Sequence, residues 1–187
     1  MAEIGRWSLT LLTAGAVLGA AGRAQGQGPA VGEYQVKAAF LYSFAKFIEW
    51  PSDALPEDEQ AFVITILGDD PFGATLDEML RDKMVAKRRV VVRRASRAED
   101  VGRSQIVFIS DSESQRLQSL LQRFQGTAIL TVGEADQFAE RGGVVRLRTE
   151  KNRVRLDINL AVAERARLKI SSELLKLARI VDRGAAD

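Results

Sequence analysis

Three aspartates stand just past the ends of two apolar stretches of strand length. Asp69 and Asp70 follow the stretch 62–67, and Asp111 follows the stretch 105–109. If both stretches are parallel strands of one sheet, their carboxyl ends meet at the crevice where α/β folds bind ligands. Oxygen ligands there suit a divalent cation. Aspartates are equally suited to turns and helix caps, so two interpretations stay open.

The candidate ligand crevice predicted from this spacing contains five residues, and we assign no metal to it. They are Asp69, Asp70, Phe72, Ser110 and Asp111.

Four arginines alternate with apolar residues near the carboxyl end of the chain. They are Arg146, Arg148, Arg153 and Arg155. Two alternating segments, 144–148 and 153–159, predict a β-hairpin with one solvated face. The arginines either cover that face and prevent edge-to-edge pairing, or form a candidate partner surface.

The composition excludes several kinds of catalysis. The chain has no His and no Cys, so it lacks the commonest general base, the commonest zinc ligands, a thiolate nucleophile and any disulfide. Its serines therefore have no His partner, and no Walker loop or G-x-G-x-x-G motif is present. Lys and Arg total 27 against 25 for Asp and Glu, which gives nucleic-acid binding little electrostatic support. We expect no enzyme, no cofactor and no nucleic-acid partner.

Buried strands alternate with helices along the chain, which predicts an α/β fold. We expect a three-layer sandwich with a mostly parallel, flavodoxin-like sheet in the order 2-1-3-4-5 and an antiparallel hairpin at its C-terminal edge. A strong helix is predicted over 33–50, and a last amphipathic helix over 171–180. In the first helix Phe40, Phe44 and Phe47 recur at helical spacing, which favours a core face over a ligand box.

The amino-terminal residues have the pattern of a secretory signal peptide. The stretch 8–22 has no charge and is rich in Leu, Ala and Gly, and small residues precede a polar run at 25–28. We expect cleavage after Ala24 and export to the periplasm. The remaining chain then forms one domain over residues 31–182.

Five segments together resemble the YfiR-like family of exported bacterial proteins. They are YQVKAAFLYSFAKFIEWP at 34–51, LGDDPFG at 67–73, FIS at 108–110, NRVRLDINL at 152–160 and LKISSELLKLA at 168–178. The resemblance spans residues 33–181, which is nearly all of the expected mature chain.

The resemblance implies a periplasmic α/β domain that regulates and does not catalyse. It implies a repressor of a membrane-bound diguanylate cyclase, which limits cyclic di-GMP and biofilm formation, and which an outer-membrane lipoprotein draws away. It also implies a homodimer. The chain departs from family members with disulfides, because it has no Cys. The alternative from the residues themselves is a periplasmic domain that binds a small molecule or a metal at the crevice.

Overall fold

An eight-stranded sheet with helices on both faces forms the frame of the molecule. The computed structural model describes residues 29–57 and 59–181. The strands are β1 (Ile48–Glu49), β2 (Ala61–Leu67), β3 (Met84–Val85), β4 (Arg88–Ala95), β5 (Ile106–Ile109), β6 (Leu130–Gly133), β7 (Val145–Glu150), β8 (Arg153–Ile158), β9 (Lys169–Ile170) and β10 (Ala178–Ile180). The α-helices are α1 (Pro29–Phe47), α2 (Ala74–Leu80), α3 (Leu117–Phe124), α4 (Leu160–Arg165) and α5 (Ser172–Leu175).

The strand order of the large sheet is β10-β8-β7-β6-β5-β2-β4-β3, and β1 pairs separately with β9. The strands β4, β2, β5, β6 and β7 are parallel neighbours. This is the predicted 2-1-3-4-5 arrangement, with the first hairpin strand as its fifth member. The predicted α/β fold class with a mostly parallel sheet is therefore confirmed.

Two apolar layers hold the sheet between its helices. On one face, Phe62, Ile64 and Phe108 pack with buried residues of α1 and α2. On the other face, Leu67 and Val107 pack with the apolar side of α3. Because successive side chains of a strand point to opposite faces, the continuous apolar runs of β2 and β5 supply both layers.

The hairpin of β7 and β8 does not lie at the edge of the described sheet, which differs from the expectation. Strand β10 pairs with β8 in parallel, with Ala178 opposite Leu156 and Ile180 opposite Ile158. The predicted last helix is correspondingly short: α5 ends at Leu175, and the chain then becomes extended. The backbone of β10 hydrogen-bonds to a strand edge that would otherwise be exposed, and this outweighs the helical pattern of the sequence.

The buried face of α1 is rotated from the one that the phenylalanine spacing indicates. Phe44 is fully buried and Phe40 is half-buried, whereas Phe47 is 42% exposed. Leu41 and Ile48 complete the buried stripe with Phe44. The core interpretation therefore holds for Phe44 and is wrong for Phe47.

Within residues 29–57 and 59–181, no helix is both long enough and apolar enough to cross a membrane. The expected signal peptide, residues 1–24, lies outside the described residues.

Candidate functional site

The two loops predicted to form the crevice are neighbours. Leu67 at the end of β2 lies opposite Ile109 at the end of β5, and the Ser110 amide donates to the Leu67 carbonyl at 3.0 Å. The Asp69 amide donates to Ser112 Oγ at 2.9 Å. Gly68 has a φ of 91°, and a Cβ there would lie 2.5 Å from Ser112 Oγ. Glycine thus permits the two loops to close on each other.

The three aspartates do not act together. Asp70 Oδ1 accepts hydrogen bonds from the amides of Phe72 at 2.8 Å and Gly73 at 3.3 Å, which forms an Asx turn. Its Oδ2 accepts from Arg94 Nε at 2.9 Å. The side chains of Asp69 and Asp111 are exposed. Across 29–57 and 59–181, no three carboxylates or other ligand side chains are grouped so that they could hold a metal ion. The turn-and-cap interpretation fits Asp70 best.

Phe72 and Ser110 have structural contacts as well. Ser110 is 7% exposed, and its hydroxyl accepts from the Ser112 amide at the start of a 3-10 helix. Phe72 is 4% exposed. Its ring makes edge contacts with Tyr34 of α1, at 5.4 Å between centroids, and with Phe108 of β5, at 4.9 Å. Side chains of the protein itself therefore occupy the space above the ends of β2 and β5.

A partly buried ionic network, which the motifs of the sequence do not indicate directly, lies beside these aromatic rings. Lys37 of α1 is 3% exposed. Its Nζ pairs with Glu134 Oε1 at 2.6 Å and also with Glu33. The Tyr34 hydroxyl donates to Glu134 Oε2 at 3.0 Å, and Thr149 Oγ1 donates to Glu33 Oε1 at 2.7 Å. We call these five residues the α1 network; it ties the first helix to the end of β6 and to the hairpin.

The sequence carries one signal for the α1 network. Lys37, Leu41, Phe44 and Ile48 recur at helical spacing, so the lysine stands on the buried stripe of α1. A lysine is almost never fully buried without a partner. The pattern thus indicates that a carboxylate contacts it, although it does not identify Glu134.

Burial and nearby charges shift the pKa values of the two carboxylates in the α1 network. Burial raises the pKa of Glu134 above its ordinary value, even though hydrogen bonds from Lys37 and Tyr34 oppose the shift, and the nearby Asp111 charge adds to it. Burial also acts to raise the pKa of Glu33. Lys37 and Thr149 outweigh the effect of burial, so the pKa of Glu33 lies below its ordinary value. Lys37 therefore does not fully offset the burial of Glu134.

The four predicted partner-surface arginines share the outward face of the hairpin, and Arg146 and Arg148 form ion pairs there. Arg146 pairs with Asp136, and Arg148 donates to Asp157 at 3.1 Å and to Glu150 at 2.7 Å. Arg153 and Arg155 are exposed, and the described residues offer neither an ion pair. The expectation that these residues form one face is consistent with the register, in which Arg148 lies opposite Arg155 and Glu150 opposite Arg153.

Asp157 holds two arginines in place on this face by accepting their hydrogen bonds. It is fully buried, and it accepts from Arg179 Nε at 2.9 Å, Arg179 Nη2 at 2.8 Å and Arg148 Nε at 3.1 Å. Burial acts to raise the pKa of Asp157, but the hydrogen bonds from Arg179 and Arg148 outweigh it and the pKa is lowered. Arg179 belongs to β10, a strand that the helical pattern of the sequence did not predict.

Three comparisons relate the chain to known proteins. The sequence matches no curated protein. Among solved structures it is similar to the ABC domain from Streptococcus pneumoniae in complex with L-Trp, with 11% identity over 70% of this chain and 58% of that one and a TM-score of 0.47. It is also similar to a conserved domain protein from Vibrio cholerae, with 14% identity over 79% of this chain and 59% of that one and a TM-score of 0.49. The chain thus spans less than two thirds of both structures.

A sequence model of one family, described as YfiR/HmsC-like, matches residues 34–179. The match includes α1 from Tyr34 onward, the whole large sheet apart from the last residue of β10, all the crevice residues and the α1 network except Glu33. The chain therefore belongs to the YfiR/HmsC-like family, a family of periplasmic proteins that regulate rather than catalyse.

Proposed function

We propose that this protein is a periplasmic repressor of a membrane-bound diguanylate cyclase and that it acts through protein–protein contact. The observation that carries the proposal is the family match over residues 34–179. A periplasmic repressor has no access to cytoplasmic cyclic di-GMP chemistry, so its effect must pass through a partner that spans the membrane.

The closed crevice supports a binding role on the outer surface rather than chemistry at the sheet. Tyr34 and Phe72 occupy the space above β2 and β5, and Lys37 forms ion pairs with Glu33 and Glu134. The absence of His and Cys from the sequence leaves the serines without the usual activating base. These features favour the repressor over the alternative of a crevice that binds a small molecule or a metal.

Repression of this kind is a shift of population. The repressor binds one state of the cyclase, and release lets the other state dominate. Moving such an equilibrium from 1:99 to 99:1 takes a preference of about 10⁴-fold, or roughly 5.5 kcal/mol. One protein interface of ordinary size is able to supply that preference. An outer-membrane lipoprotein that competes for the repressor would then relieve repression, and a homodimer would present two copies of the contact surface.

The genetic test uses the deletion strain. Deleting the gene is expected to raise cellular cyclic di-GMP and surface attachment, because the cyclase is released. Also deleting the cognate cyclase gene is expected to abolish the rise, and deleting an unrelated cyclase gene is the matched control. An unchanged cyclic di-GMP level in the single deletion would overturn the proposal.

Export is tested in the same strain. The full chain should restore repression, and a chain that begins at Gln25 behind a start methionine should not, because it stays on the wrong side of the membrane. N-terminal sequencing of periplasmic protein is expected to begin at about Gln25. Recovery of soluble protein with Met1 intact would contradict cleavage.

A further inference from the structure

A groove with an apolar floor runs between α1 and the tip of the β7–β8 hairpin. Its volume is about 540 Å³, and Val36, Phe40 and Val154 form its apolar part. Val36 is 45% exposed, and Phe40 and Val154 are half-buried. We call this feature the α1–hairpin groove. Contiguous exposed apolar surface with a polar rim is typical of protein contact sites.

The polar groups on the inner wall of the groove are already satisfied within the protein. Glu33 lines the groove, but it accepts from Thr149 Oγ1 at 2.7 Å and pairs with Lys37. Thr149 also lines the groove, and its hydroxyl already donates its hydrogen to Glu33. The inner wall therefore offers mainly apolar surface to an occupant, which is unlike the convergent polar groups of a small-molecule site.

The outer rim of the groove is positively charged. Arg153 lines the groove and also a neighbouring concavity of about 340 Å³ that includes Lys151 and Arg155. Glu150 is the acidic group there, and it already accepts from Arg148 at 2.7 Å. In the described part of the chain Arg153 and Arg155 have no ion pair. Arg153 thus presents an available guanidinium group beside the apolar surface, whereas Arg155 lies on the opposite face of the hairpin from Val154 and lines only the neighbouring concavity.

We propose that the α1–hairpin groove is the docking site for an acidic, amphipathic segment of the partner protein, an inference that rests on the proposed function. The apolar side chains of that segment pack on Val36, Phe40 and Val154, and its carboxylates meet Arg153 at the rim. Apolar anchors in a groove with charge pairs at the rim are a recurrent mode of peptide and helix recognition. Guanidinium groups suit this role, because they bind carboxylates in a bidentate manner.

A second copy of this chain fits the groove less well. A twofold pairing of this face brings two positively charged rims into one interface, and like charges across an interface oppose association. A homodimer would therefore use another face.

The test compares two groove variants with two matched controls. The groove variants are Val36→Glu and Arg153→Glu. The controls are Met84→Glu, at a 51% exposed apolar residue of β3, and Arg93→Glu, at an exposed arginine of β4. Strand β4 lies five positions from β8 in the sheet, which is roughly 24 Å at ordinary strand spacing. Each full mature chain is first checked for wild-type unfolding midpoint, and its affinity is then measured by calorimetry for the purified periplasmic domain of the cyclase identified in the double deletion.

Each groove variant is expected to bind about tenfold or more weakly, and each control within about threefold of the wild type. Because Arg153 acts through charge, the wild-type affinity should also fall with added salt more steeply than that of Arg153→Glu. Equal binding by the groove and control variants would overturn the groove and leave the proposed function standing. Failure of the wild type to bind would overturn both.

Two further readouts identify other occupants. Sedimentation velocity would assign the groove to a second copy if the groove variants alone become monomeric. Native mass spectrometry of the purified wild type would assign it to a small molecule if a bound mass is lost in Val36→Glu. Either result overturns the docking proposal.

Discussion

Glu134 and Asp157 are both buried carboxylates that accept hydrogen bonds from cations, and their pKa values shift in opposite directions. Glu134 shares one ammonium, that of Lys37, with Glu33, and its other donor is the neutral Tyr34 hydroxyl. Asp157 receives three hydrogen bonds from two guanidinium groups. Near Glu134, therefore, one cation faces two carboxylates. On the hairpin face near Asp157, two cations face one buried carboxylate.

This difference separates a structural region from a surface suited to a partner. Lys37 and Glu134, at the centre of the α1 network, are largely buried, and an additional anion beside them would meet Glu134 and Asp111. The hairpin face satisfies its own buried carboxylate and still presents Arg153 and Arg155. An acidic partner is thus favoured at the hairpin and disfavoured at the crevice, which is the reverse of the order in which the sequence draws attention to the two regions.

The largest expected effect comes from removing the cation of the α1 network. Lys37→Met leaves the buried Glu134 carboxylate without its ion pair, and we expect it to lower the free energy of unfolding by about 3–5 kcal/mol. Urea unfolding measures the loss. Lys46→Met, at an exposed lysine of the same helix, is the control and should change stability by less than about 0.5 kcal/mol.

A second substitution tests the cause of that loss. In Lys37→Met with Glu134→Gln, no unpaired buried charge remains, so part of the lost stability should return. Equal stability of the single and double variants would show that Lys37 acts through its packing rather than its charge, and the contrast between the two regions would fail.

The sequence predicts the central strands of the sheet better than it predicts the side-chain networks. The strands at 62–67 and 105–109 are predicted correctly because their apolar runs are local patterns, and their parallel order follows from the alternation with helices. The pairing of Tyr34 with Glu134 joins residues 100 positions apart, and no local pattern specifies it. Strand β10 has three residues, too few for a strand pattern to compete with the helical spacing around it. Asp70 stands in the predicted place, but its engagement with Arg94 depends on the register of β2 and β4.

The two carboxylates should give opposite pH profiles of stability. Glu134 faces Lys37, Tyr34 and Asp111, and its pKa is raised from the ordinary 4.5. Its favourable contribution is full below that value and is lost as the pH rises through the folded-state pKa. The pKa of Asp157, facing Arg148 and Arg179, is lowered from the ordinary 3.8. Its contribution is present above that value and is lost as the pH falls through the folded-state pKa.

The measurement is the free energy of unfolding of three proteins at several pH values between about 2.5 and 8. Relative to Glu134→Gln, the wild type should lose stability as the pH rises above about 4.5. Relative to Asp157→Asn, it should lose stability as the pH falls below about 3.8. Parallel curves for all three proteins would mean that the two regions do not differ in their excess of charge.

The smallest expected effects distinguish the aspartates of the crevice loops. Asp70→Asn keeps an oxygen for the Phe72 and Gly73 amides but loses the charge that meets Arg94, so we expect the free energy of unfolding to fall by about 1 kcal/mol.

The backbone amide of Asp69 donates to Ser112, and the side chain of Asp69 is exposed. Asp69→Asn, alone or with Asp111→Asn, should therefore change stability by less than about 0.5 kcal/mol. Urea unfolding and calorimetric titration with Ca²⁺ check these values. If the double variant were stabilised by more than about 1 kcal/mol and also lost a Ca²⁺ binding heat seen in the wild type, the aspartates would form a cation site after all.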